Sequence, residues 1–270
     1  MADDNSANDD GNLQTYSPGS SPEARDKHIT KTFLEFLASS NAKEPFFSFL
    51  FYDAVHAKQS PRGSEKVFTP VWERPNYLAL NNDFNPEPFR NMYRNSLFYT
   101  DQKIGKVLAA LKQHDLMKNT VVLITSDHGE EFNDNHKNYW GHGSNYSDAQ
   151  IHVPLYMYMP SVEPRTIAKR TSHLDVMPSL MKHVLNVSTP IDDHSNGEDL
   201  LDSQTQRQWL VTGSYSDYAL VSVDEINHVR VTGKLDTMNP DLSKKSKRTL
   251  QADDLKAILR GQSRFLAISP

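Results

Sequence analysis

Three apolar runs constrain what this chain can fold into: PFFSFLFY at 45–52, TVVLIT at 120–125 and VPLYMYM at 153–159. Each is far shorter than the ~20 residues needed to span a bilayer, yet too continuous to be the stripe of a surface helix. Such runs suit strands covered on both faces, as in a sheet flanked by helices. Helical spacing fills the intervals. Ile29, Phe33, Phe36 and Leu37 mark a helix over 24–40, and Phe89, Tyr93, Leu97, Ile104, Leu108 and Leu111 mark one face of another over 89–111. Asp101 falls on that second stripe, so the spacing predicts a carboxylate paired with a neighbouring loop. A third helix is expected over 175–186, with Asp175 as its N-cap. Strand, helix, strand order of this kind predicts an α/β fold.

The remaining segments divide the chain. Residues 1–23 are expected to form a disordered acidic leader, because a run of Asp, Asn, Ser, Gly and Pro buries too little apolar area to offset its ordering entropy. Residues 24–190 are expected to form the α/β core. The 57–77 stretch is a Pro- and Gly-bearing loop long enough to suggest a functional role. Residues 191–270 alternate short β-type runs (QWLVTGSY, YALVSV, NHVRVTG) and end on helical spacing near 251–260, which predicts a C-terminal antiparallel β portion with a final helix.

Charge and composition exclude some functions. Acidic residues number 34 against 29 basic ones, for a net charge of -5, which argues against a nucleic-acid partner. With no cysteine there is no thiolate metal site, so a metal would be held by carboxylate, imidazole or hydroxyl groups. The N-terminus lacks the layout of a signal peptide, and the chain as given is expected to be soluble.

The chemistry concentrates at two strand ends. FFSFLFYDAVH delivers Asp53 and His56, and VVLITSDH delivers Asp127 and His128. In open α/β sheets ligands collect beyond the carboxyl ends of strands, and parallel neighbours would bring these groups to one rim. Asp beside His offers a hard oxygen and a borderline nitrogen, a pairing that suits zinc or manganese. Gly129 is expected to let the backbone turn so that both side chains face one point. By pattern alone a turn and a cap remain an alternative.

The stretch TSDHGEEFND…WGHGSNYSDAQIHVPLYMYMP resembles the alkaline phosphatase and sulfatase superfamily, in particular its membrane-anchored phosphoethanolamine and phosphoglycerol transferase branch. YTDQKIGKVLAAL and HLDVMPSLMKHVL resemble two helices of that family, in the same order. The ending LNVSTPIDDHSNGEDLL and the trailing strands are similar to inner-membrane sulfatase-like proteins associated with lipopolysaccharide control and cardiolipin in Gram-negative bacteria. The resemblance covers about 30–190.

It implies a three-layer α/β/α fold, here a partial domain. It also implies that Asp127 and His128 are metal ligands, that His142 contacts the transferred phosphate or sulfate, and that His56 is a second such contact or a proton donor. The cofactor would be a divalent metal (Mn, Zn, Ca or Mg). The substrate would be a sulfate or phosphate ester, including a lipid head group, and an envelope protein partner is a further expectation. The family's nucleophile and its other acidic ligand have no counterpart here, so the chain reads as the C-terminal portion of a longer periplasmic protein whose N-terminal region reaches the membrane. The complete protein is expected to be an enzyme and this chain alone to be inactive. A non-catalytic regulator of envelope lipid composition, binding lipid or protein, is the alternative.

Blander readings cover the rest. His136 lies in a polar loop and His152 just before a strand, so both read as solvated or structural. Glu130 and Glu131 either orient His128 or form an exposed acidic turn. Ser144 lacks the G-x-S-x-G elbow of a serine esterase. KKSKR at 244–248 is either a solvated loop or a contact for anionic head groups.

Overall fold

A computed structural model describes residues 21–39, 44–61, 63–64, 66–204 and 206–265. Most of the expected acidic leader therefore lies outside the described residues. The chain divides into two compact units, Met1–Leu123 with Tyr156–Ser161, and Ile124–Leu155 with Val162–Pro270.

In the first unit, helix α1 (Pro22–Ala38) starts on an extended Ser21 with proline in its first turn, where a missing N–H costs nothing. Its buried residues Asp26, Thr30, Phe33 and Leu37 recur at helical spacing. Phe33 and Leu37 form a core with Val107 and Leu111 of helix α2 (Glu87–Gln113). The buried face of α2 also carries Asn91, Ser96, Tyr99 and Thr100. That face is rotated from the expected stripe, and it leaves Leu97 and Asp101 exposed. Asp101 thus needs no buried partner, and the pairing expected for it is corrected. The polar residues on the buried face anchor the 57–77 loop. Asn95 accepts from the Phe68 amide (3.1 Å) and donates to its carbonyl (2.9 Å), while Asn91 donates to the Pro70 carbonyl (3.1 Å).

The first apolar run departs from expectation. Phe46 and Leu50 pack on the α1/α2 core, but Phe47 is 91% exposed, and Phe49 and Phe51 are exposed as well. The run joins no ladder among the described residues. β1 (Val122–Thr125) and β4 (Leu155–Tyr158) form a two-stranded sheet. They show the same alternation, with Leu123, Tyr156 and Tyr158 exposed. The prediction of strands covered on both faces is therefore corrected. The residues are apolar on both faces, but only one face is packed.

In the second unit, β2 (Glu131–Phe132) and β3 (Trp140–Gly141) form a short hairpin, and the one-turn α3 (Asp148–Ile151) follows. α4 (Val176–His183) is preceded by a 3-10 turn, and Asp175 between them is buried. Asp175 accepts from the Ser172 amide (2.7 Å), and from both terminal nitrogens of Arg207 (2.9 and 2.7 Å). It stands at the N-cap position of α4 without a side-chain cap bond to that helix, so the capping role expected of it is replaced by this ion pair. The C-terminal strands β5 (Leu210–Gly213), β6 (Tyr218–Val221), β7 (Ile226–Val229) and β8 (Leu235–Met238) form an antiparallel meander. Leu210 faces Val221, Tyr218 faces Val229, and Ile226 faces Met238. One face of the meander buries Ala219, Val221 and Ile226 with Tyr146. Helix α5 (Ala252–Ser263) closes the described chain.

Candidate metal and anion site

The β2–β3 hairpin sets the geometry of the site. Its register pairs Glu131 with Gly141 and Phe132 with Trp140, so Glu130 and His142 stand opposite each other one step beyond the ladder. Residues opposite on an antiparallel pair share a face and come close. Accordingly, His142 Nδ1 lies 2.9 Å from Glu130 Oε2, with Glu130 only 4% exposed. A carboxylate accepts, so Nδ1 carries the proton and Nε2 keeps its lone pair. The turns flanking this histidine need a left-handed backbone, and Gly141 (φ 93°) and Gly143 (φ 73°) supply it.

His128 is set in the same way. Its Nδ1 lies 2.9 Å from the Gly129 carbonyl, which again leaves Nε2 as the acceptor nitrogen. The two imidazoles stack with centroids 3.9 Å apart and planes 24° from parallel. His128, Glu130 and His142 each offer a ligand atom within 4.8 Å of the others. Two imidazoles and one carboxylate are a donor set that fits a zinc-type or manganese-type cation.

Asp127 sits at the edge of this group. Its Oδ1 accepts from the His128 amide (3.0 Å) and lies 3.7 Å from His128 Nε2, while the side chain is 73% exposed. Ser126 Oγ donates to the His128 carbonyl (2.8 Å) and fixes the turn between them. Gly129 has a different role from the expected one. Its φ is not left-handed, but a Cβ there would stand 2.2 Å from the Ala149 carbonyl oxygen, and its amide donates to the Gln150 carbonyl (2.8 Å). Space, not a sharp turn, requires glycine at this position.

Glu131 is fully buried, so the exposed acidic turn is corrected. Its carboxylate accepts from Asn145 Nδ2 and Gln150 Nε2, both at 2.7 Å, and from Ser147 Oγ at 3.4 Å. Gln150 in turn accepts from the Ser144 amide (3.0 Å) and donates to Ser144 Oγ (2.9 Å). This knot fastens the loop that carries His142 to the hairpin. It also occupies Ser144, in keeping with the poor serine-esterase pattern. His136 and His152 are exposed.

His56 belongs to the first unit. Its side chain is 60% exposed, with Nδ1 3.9 Å from Asp53 Oδ1. Asp53 is engaged by the Arg25 guanidinium. Beneath it, buried Asp26 accepts from the amides of Asp53 (2.8 Å) and Ala54 (3.1 Å). Burial outweighs those bonds and pushes the Asp26 carboxyl up to about 6.

Comparison with known proteins identifies the family and the fold. The family model "Sulfatase" matches residues 2–187. The inner membrane protein YejM of Salmonella typhimurium is 27% identical over 185 residues, covering 68% of this chain and 31% of the relative. Arylsulfatase K of Canis lupus familiaris is 24% identical over 206 residues, covering 63% of this chain and 37% of that protein. The chain thus spans about a third of the length of these relatives. Among solved structures, a phosphonate monoester hydrolase of Agrobacterium radiobacter superposes with a TM-score of 0.63 at 17% identity, covering 93% of this chain and 63% of that one. A protein of the alkaline phosphatase superfamily from Vibrio parahaemolyticus gives 0.56 at 18% identity, covering 94% and 59%. These superpositions establish an alkaline-phosphatase-like fold, present as a partial domain. No helix among the described residues is long and apolar enough to cross a membrane.

Proposed function

This chain belongs to the sulfatase family, and from that premise we propose that the complete protein is a metal-dependent hydrolase or transferase of sulfuric or phosphoric esters. Residues 127–142 supply one part of its metal and anion site. The observation that carries this reading is the convergence of His128, Glu130 and His142, with ligand atoms within 4.8 Å.

His128, Glu130 and His142, with Asp127 beside them, would hold a divalent cation. When bound, the cation supplies Lewis-acid polarisation of the ester oxygen and activation of a nucleophile contributed from outside this chain. His142, with its proton fixed on Nδ1 by Glu130, presents Nε2 to the site. His56, the exposed histidine of the first unit, is a separate candidate for a proton donor. The likeness to an inner membrane protein supports a place on the periplasmic side of a Gram-negative inner membrane, with a lipid head group among the candidate esters and an envelope protein among the candidate partners.

The test uses the protein at the full length of its curated relatives. Hydrolysis of p-nitrophenyl sulfate and p-nitrophenyl phosphate is followed with and without chelator, beside Asp127→Ala. The reading expects turnover of at least one ester that falls at least a hundredfold on chelation and in the variant, while the 270-residue chain alone stays at background. Turnover indifferent to both treatments sinks the metal-dependent mechanism. Metal binding with no turnover of either ester favours the non-catalytic reading, in which the fold serves as a binding platform.

A further inference from the structure

The C-terminal sheet carries a second polar feature, remote in sequence from the histidines. Between positions 230 and 248 lie six bases (Arg230, Lys234, Lys244, Lys245, Lys247, Arg248) and only two acids, in a chain whose net charge is -5. This basic stretch is pinned in place. After β8 the chain turns at Asn239 and runs back along the strand, with Lys244 bridged to Met238 and the Lys245 amide donating to the Thr237 carbonyl (3.2 Å). Lys245 Nζ then lies 3.1 Å from Glu225, a fully buried carboxylate that also accepts from the amides of Thr249 (2.8 Å) and Leu250 (2.9 Å). Both ends of the bend are thus tied to one buried group, and Ser246, Lys247 and Arg248 are held outward between them.

The charges here are unevenly satisfied. Asp236 is shared by Arg230 (2.6 Å) and Lys234 (2.9 Å), and Asp241 accepts from Ser243. Lys244, Lys247 and Arg248 have no ion-pair partner among the described residues. Arg230, Lys244, Lys245 and Arg248 line an open cleft of about 560 Å³ together with Leu235, Met238 and one acid, Asp236, which is engaged by Arg230 and Lys234. That volume lies within the range of small-molecule sites, where apolar walls carry a few convergent polar groups.

We propose that this cleft binds a phosphate-bearing organic anion, with the phosphate on Lys244 and Arg248 and the organic part against Leu235 and Met238. Arginine's planar fork matches two phosphate oxygens, and lysine adds a point charge. A soluble phosphate ester and a phospholipid head group present the same chemistry, and separate probes distinguish them.

The 270-residue chain, in chelator-containing buffer so that the histidine cluster holds no metal, is titrated with glycerol 3-phosphate. It is also titrated with phosphatidylcholine vesicles with and without phosphatidylglycerol. Binding to glycerol 3-phosphate places the ligand in solution, and binding only to the anionic vesicles places it in a membrane. In either case K244Q/R248Q is expected to weaken binding at least tenfold, while K106Q/K112Q, which removes the same charge from α2, leaves it unchanged. Should the first variant fold poorly by circular dichroism, protection of Lys244 from acetylation by the bound probe in the unaltered chain gives the same answer. Binding to neither probe, equal losses in the two variants, or acetylation of Lys244 unaffected by the probe would each overturn the assignment.

Discussion

Two places in this molecule set a carboxylate beside a histidine just after an apolar run, and they are built to different degrees. After 45–52, Asp53 is engaged by Arg25, and His56 stands exposed with its nearer nitrogen 3.9 Å from that carboxylate. After β1, His128 and His142 each have Nδ1 fixed on an oxygen acceptor at 2.9 Å, and the rings stack. An imidazole whose second nitrogen is anchored has one tautomer and one orientation to offer a ligand. The β2–β3 register delivers Glu130 to His142, whereas His56 follows a run that joins no ladder among the described residues. A matching residue type marks a candidate, and the partner of its other nitrogen decides whether it is preorganised.

The contrast can be broken most severely at Glu131. E131A strips the common acceptor from Asn145, Ser147 and Gln150, leaving buried donors unpaired, and is expected to cost about 3–5 kcal/mol. Urea unfolding checks this, and the loop carrying His142 should lose its metal affinity with it.

In the first unit, the prediction concerns pH. Asp26 holds its proton more tightly folded (about 6) than its ordinary 3.8. The folded state is therefore favoured at low pH, and that advantage is lost as pH rises through about 6. At about 1.4 kcal/mol per pH unit this amounts to about 3 kcal/mol, read as a downward slope of unfolding free energy that D26N abolishes. Glu225 behaves oppositely. Burial raises its carboxyl, but bonds from Asn227, Thr249 and Leu250 prevail and hold it near 2, so its contribution is present above its ordinary 4.5 and lost as pH falls toward about 2. Both carboxylates are fully buried, and the number of donors sets the sign.

Smaller effects sharpen the comparison of the histidines. E130Q keeps the shape but frees His142 from a charged anchor, and should weaken zinc binding to the chain by about 10–100-fold, measured by calorimetry, with little change in melting temperature. H56A should leave that zinc affinity unchanged. A loss equal to that of E130Q would place His56 in the metal cluster and erase the distinction drawn here.

Much of this was legible in the sequence. The α/β class followed from short apolar runs between helical periodicities, and the crowded 125–160 stretch announced the family. What escaped depended on pairing. Glu130 and Glu131 look alike in sequence, yet one orients a histidine and the other ties a loop, because adjacent strand residues face opposite ways. Asp101 looked buried because Leu97 and Leu108 share its stripe, whereas α2 buries the neighbouring stripe to seat Asn91 and Asn95 against the 57–77 loop. The aromatic run at 45–52 reads as doubly covered because both of its faces are apolar, and apolarity does not reveal which face is packed.

The central claim is that the hairpin register assembles a divalent-metal site from His128, Glu130 and His142. The most direct test is calorimetric titration of zinc and manganese into the chain beside H142A and K112A. The account predicts saturable one-to-one binding by the unaltered chain and by K112A, weakened at least a hundredfold in H142A. Binding that survives in H142A, or no binding by a chain that is folded, would contradict it.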